Sequence, residues 1–114
     1  MNSSELWVVG VSVAFFAASV ALWWRGWAQL EKAQALILQG ATVIDVDTPE
    51  DYASVHHPGA KNIPLEELDV RTAELGPPDN PVVVCGRWVR RLRATSVLRG
   101  LGYRFVVDVG AHDW

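Results

Sequence analysis

The chain has 114 residues, of which 50% are hydrophobic, and its ten Lys and Arg against thirteen Asp and Glu leave a net charge of −3. That length has room for one small domain plus an appendage. The acid excess excludes a broad basic surface for nucleic acid, and a single cysteine excludes an internal disulfide.

Mean hydropathy is +0.12, high for a soluble chain of this size, and the excess is local. After a short tail, residues 1–5, the chain runs from Leu6 to Trp24 without a charge, bracketed by Glu5 and Arg25. As a helix, 19 such residues span roughly 28 Å, close to a bilayer's hydrocarbon thickness. Trp7 at one end and Trp23, Trp24 and Trp27 at the other are placed as interfacial anchors, so residues 6–27 are expected to form one transmembrane helix. A cleaved signal peptide would need a basic leader, and Met1 to Glu5 has no Lys or Arg. Arg25 and Lys32 on the C-terminal side then place the domain in the cytoplasm of a single-pass protein of a bacterial-type inner membrane.

Residues 28–40 follow as a connecting helix that Gly40 stops, and residues 41–114 as the domain. Thr42 to Val46 is a short strand. Thr48-Pro49-Glu50-Asp51 is a helix start with Thr48 as N-cap. His57 to Ala60 is a turn, Lys61 to Ile63 a brief extended piece, Leu65 to Leu75 a short helical stretch, and Gly76 to Pro81 a loop. Val82-Val83-Val84 is a buried strand running into Cys85. Leu92 to Arg99 is a helix with Leu92, Val97 and Leu98 on its apolar face, and Tyr103 to Asp108 a last strand. Strands alternating with helices imply an α/β fold with a parallel sheet covered on both faces, whose ligand site lies off the carboxyl ends of the strands.

Cys85 falls at such an end. The segment Cys85-Gly86-Arg87-Trp88-Val89-Arg90-Arg91 combines a thiol, a helix N-terminus and three arginines, conditions that favour a thiolate and hold an anion beside it. Arg93 and Arg99 read as a solvated helix face.

Val43-Ile44-Asp45-Val46, Thr48 to Tyr52, His56 with Pro58-Gly59-Ala60, Asn62 to Leu65, Val82 to Cys85, Arg90, Gly102-Tyr103 and Gly110 to Trp114 occur in the order found in rhodanese-type sulfurtransferases. From about Gln34 onward the chain resembles that family. The resemblance implies a small domain with a five-stranded parallel sheet and Cys85 as the residue that carries sulfane sulfur as a persulfide. It implies a small anionic donor, thiosulfate or a persulfide, held by Gly86, Arg87, Trp88, Val89, Arg90 and Arg91. The acceptor would be an external thiol, small or carried on a protein, and neither cofactor nor metal is implied. His56 would make a structural hydrogen bond, and His112 would face solvent.

The double arginine leaves two loop lengths open. Cys85 and Arg90 satisfy the Cys-x4-Arg spacing of the sulfurtransferases, and Cys85 and Arg91 the Cys-x5-Arg spacing of related phosphatases and arsenate reductases. The distance to Gly102-Tyr103 matches the shorter loop, with Arg90 closing it. Trp88 stands where the family commonly has a small residue, and Asp47 where it commonly has an arginine. These departures keep a second class open, a membrane-tethered module that binds an anionic group without catalysis.

Overall fold

The computed structural model describes residues 2–110. Helix α1 runs unbroken from Ser3 to Leu38. It starts three residues before the apolar run because Asn2 and Glu5 form a capping box: the Asn2 side chain accepts from the Glu5 N–H, and the Glu5 carboxylate accepts from the Asn2 N–H. The stretches 6–27 and 28–38 are therefore one rod, ~54 Å long at ~1.5 Å per residue. It is the one helix among the described residues long and apolar enough to cross a membrane.

The chain then reads β1 (Thr42–Asp45), α2 (Pro49–Ser54), β2 (Lys61–Asn62), two 3-10 helices (Leu65–Val70 and Thr72–Leu75), β3 (Val82–Cys85), α3 (Trp88–Gly100) and β4 (Val106–Asp108). Thr48 caps α2 as expected, its hydroxyl accepting from the Asp51 N–H at 3.3 Å. The strands form one parallel sheet in the order β2-β1-β3-β4, with Asp45 level with Cys85 and Val84 level with Asp108. Four strands are present among the described residues where the family resemblance implied five. The segment before β1 is helical and packs over the sheet instead of adding an edge.

Alternation along β3 divides the core. Val82 and Val84 face one layer with Ile44, Ile63, Leu68 and Leu98, while Val83 and Cys85 face the other with Ala33, Val107 and Val109. The first layer is roofed by α3 and the 3-10 helices. The second is roofed by the C-terminal part of α1, through buried Ala33 and partly buried Leu36 and Ile37. Each face of the parallel sheet is thus covered.

α3 begins at Trp88, four residues earlier than expected, and buries Ala94, Thr95 and Leu98. The inward stripe is thus set by the 94, 95, 98 spacing, and Leu92 and Val97 lie outside it. Tyr103 closes the far end of the domain. It is buried, and its hydroxyl donates to the Gly76 carbonyl at 2.6 Å, with the Thr72 carbonyl at 3.3 Å. Tyr103→Phe is expected to cost about 1–2 kcal/mol by orphaning that carbonyl, read as a lowered urea midpoint at unchanged slope.

Candidate active site

β3 passes into α3 through Gly86 and Arg87. Gly86 adopts φ +133°, a conformation that favours glycine, and a Cβ there would lie 3.1 Å from the Asp47 carboxylate and 3.3 Å from the Val46 side chain. Its bare backbone forms part of the wall of a cavity of about 330 Å³ lined also by Asp47, Asp51, Ser54, Arg87, Trp88 and Arg91. The first-turn N–H groups of α3 have no acceptor within the helix, and its partial positive end lies at this cavity.

Cys85 sits one residue before the cavity wall and is 0% exposed. Its side chain belongs to the layer beneath α1, packed with Ala33, Val83, Val107 and Val109. The cause is strand alternation, which sends residues 83 and 85 to the same face. The structure therefore brings Gly86, Arg87, Trp88 and Arg91 together around the cavity and leaves Cys85, Val89 and Arg90 out of its lining.

Each of the three arginines in this segment has a carboxylate partner. Arg87 donates to Asp51 at 3.0 Å. Arg90 makes a two-pronged bond to Glu66, at 2.8 and 2.6 Å, and its Nε donates to the Val46 carbonyl at 2.8 Å. That pairing holds the Glu66 carboxyl below its ordinary range, the hydrogen bond from Arg90 being the main cause. Arg91 reaches Asp108 at 3.2 Å and the Gly86 carbonyl at 3.2 Å. The arginine that braces the turn is thus Arg91, whereas Arg90, expected to close the loop, ties α3 to the end of β1 and to the first 3-10 helix. Trp88 projects from the first turn of α3 and is 66% exposed, lying over the cavity rather than filling the loop.

The acidic wall is the part of the site least visible in the sequence. Asp47, which stands where the family commonly has an arginine, is buried, and its Oδ1 accepts from the Arg87 N–H at 2.8 Å across 40 residues. It takes one of the loop's own N–H groups and fixes the turn. Asn62 supports the same end of β1, its Nδ2 donating to the carbonyls of Asp45 and Asp47 at 3.1 and 2.9 Å. Ser54 and Val55, which nothing in their spacing distinguished, complete the cavity from α2.

Asp45 is fully buried. Its Oδ1 accepts from the Asp47 N–H at 2.9 Å, and its Oδ2 has no hydrogen-bond partner. Burial pushes its carboxyl above the ordinary value, and the Asp47 charge adds to this against the lowering effect of the Asp47 N–H. A raised folded-state pKa means that the native state holds more protons than the unfolded chain, so stability declines as pH climbs through that window. Asp45→Asn is accordingly expected to raise the urea midpoint at pH 8, with the gain shrinking towards pH 4.

His56 does make a structural hydrogen bond. Its Nδ1 lies 2.6 Å from the Tyr52 carbonyl, which requires the proton on Nδ1, and its ring stacks on Tyr52 at 3.8 Å. Burial and neighbouring His56 lower the pKa of His57. His112 and the closing residues 111–114 lie outside the described residues. Among the described residues no group of three His, Cys, Asp or Glu is arranged to hold a metal ion.

The sequence model of the Rhodanese-like domain matches residues 27–114. The thiosulfate sulfurtransferase PspE of Escherichia coli (strain K12) is 38% identical over 69 residues, covering 59% of this chain and 66% of PspE. The thiosulfate sulfurtransferase GlpE of Pseudomonas fluorescens (strain Pf0-1) is 35% identical over 88 residues, covering 74% of this chain and 79% of GlpE. The putative sulfur carrier protein YrkF of Bacillus subtilis (strain 168) is 31% identical over 78 residues, and the match spans 42% of its length. Among solved structures, the human single-domain sulfurtransferase TSTD1 superposes with a TM-score of 0.59 at 27% identity, covering 70% of this chain and 84% of that one. With the parallel sheet, the turn after β3 and a family match that includes the last third of α1, the chain belongs to the rhodanese-like family.

Proposed function

We propose that the chain is a membrane-anchored rhodanese-type sulfurtransferase that carries sulfur on Cys85. The names of its relatives support sulfurtransferase activity, and one observation carries the assignment to this residue. The sole thiol ends β3 immediately before a turn whose cavity lies at a helix N-terminus. In the reaction, the Cys85 thiolate attacks the outer sulfur of thiosulfate; a new S–S bond forms, the donor's S–S bond breaks, and its electron pair leaves with sulfite. An acceptor thiolate then attacks the outer sulfur of the persulfide and returns Cys85 as a thiolate. The N-terminus of α3 and Arg91 would stabilise the anions at the turn. Because Cys85 is buried, the reaction requires residues 85–87 to open, and Gly86 supplies the backbone freedom for it. The N-terminal part of α1 anchors the domain, with Arg25 and Lys32 on the cytoplasmic side of the inner membrane.

The burial of Cys85 favours a second reading, in which the cavity binds an anionic group and the thiol is a core residue. Sulfur transfer from thiosulfate to cyanide by the full chain in detergent micelles decides between them. Turnover that depends on Cys85 supports the enzyme. Binding of an anion without turnover supports the module, and turnover of a phosphoester or arsenate instead would displace both.

A further inference from the structure

A second cavity, of about 290 Å³, lies between α1 and the domain. From α1 it is lined by Leu22, Arg25, Gly26 and Gln29, from α3 by Trp88, Arg91 and Leu92, and at its floor by Asp108, whose carboxylate is paired with Arg91. The spacing of the α1 residues is one helical stripe, continuous with the Ala33 contact on the sheet. Leu22 to Gln29 covers ~10 Å along α1, and this is where the charge-free run ends and Trp23, Trp24 and Trp27 stand exposed. The start of α3 is therefore level with the tryptophan belt of α1.

One stripe of that start, flanked by Arg87, Arg90 and Arg91, is apolar and uncovered. Trp88 is 66%, Val89 53% and Leu92 41% exposed, and Arg25 beside them has no carboxylate partner among the described residues. An aromatic and two aliphatic side chains next to a bare cation fit the interfacial layer of an anionic bilayer, which is about 5–8 Å thick on each side. Resting on the membrane-span reading of α1, we infer that Trp88, Val89 and Leu92 insert into the headgroup layer of the membrane that α1 crosses, with Arg25 pairing to anionic lipid. The tether holds this surface at the bilayer, so docking needs no second association step. The cavity beside Gly86 shares Trp88, Arg91 and Gly110 with the one at α1, so its mouth then opens at the lipid surface. The exposed indole over the site thereby has a partner that a domain free in solution would not give it.

The test uses the full chain in nanodiscs of phosphatidylcholine with phosphatidylglycerol, spin-labelled at Val89→Cys, Val70→Cys or Phe15→Cys in a Cys85→Ala background. Val70 is exposed on the first 3-10 helix and Phe15 at the middle of the apolar run. The label at 89 is expected to collide with oxygen severalfold more than with a water-soluble nickel chelate, between the values at 15 and 70. A label at 89 that matches position 70, while position 15 is shielded from nickel, overturns the docking and leaves the span intact. A water-exposed label at 15 overturns the span and the docking with it. Should the labelled variants not fold, quenching by brominated lipids tests the same docking in the otherwise native chain. Trp88→Ala is expected to remove a lipid-quenchable part of the emission, and loss of only unquenchable emission overturns the proposal.

Discussion

Thiosulfate-treated protein is expected to gain the mass of one sulfur atom, and the Cys85→Ser variant to gain none. Serine keeps the size but lacks a nucleophile that attacks sulfane sulfur at neutral pH, so transfer should fall by roughly 10³-fold or more, as when other enzymic nucleophiles are removed. Cys85 packs against Ala33, Val83, Val107 and Val109, so a hydroxyl there would also cost about 1–3 kcal/mol of stability. Cys85→Ala separates the two effects, because it removes the sulfur without adding a buried polar group. Both variants should be inactive, and the alanine variant should lie nearer the native urea midpoint. Alkylation of the native chain supplies the kinetic side. If Cys85 reacts through opening of residues 85–87, the rate should rise with mild denaturant well below the global midpoint. A folded native chain that neither gains sulfur nor alkylates would rule out the catalytic reading and leave the binding module.

The α/β class, the parallel sheet and the helix start at Thr48 were legible because each rests on local signals: β-branched runs, an N-cap followed by proline, and glycine stops. The position of the loop after β3 was legible for the same reason. Its side-chain directions were not. Whether Cys85 faces the turn or the core depends on strand parity, and the four-residue apolar run of β3 is buried throughout, so no polar residue marks which face is which. The arginine pairings were hidden because their partners lie 17 to 36 residues away, in Asp51, Glu66 and Asp108. Asp47 shows the same limit. Read in sequence it is one more acid in an acidic stretch, yet in the fold it is the group that receives the Arg87 N–H. Gly86 carried a usable signal, since a glycine directly after a buried strand marks a special backbone or a close approach, and here it is both.

The largest effect on folding is expected from Ala33→Glu. Ala33 is the one fully buried residue of α1, and it sits on the sheet face built from Val83, Cys85, Val107 and Val109. A glutamate there would bury an unpaired carboxylate and overfill a site sized for a methyl group. The cost should be several kcal/mol, against a total stability of about 5–15 kcal/mol for a small domain. Leu38→Glu tests the opposite face of the same helix, since Leu38 is 90% exposed, and its effect should stay within about 0.5 kcal/mol. Urea unfolding in detergent micelles, followed by near-UV circular dichroism, reads both. Helical signal from the apolar half of α1 would persist in micelles, which is why the tertiary signal is the one to follow. The contrast follows from the continuity of α1: as far as Ala28 it is exposed to whatever surrounds it, whereas its last third, through Ala33, Leu36 and Ile37, is the roof of one layer of the core. An Ala33→Glu midpoint equal to that of the native chain would show that the sheet face stands without its helix, and that α1 is an anchor alone.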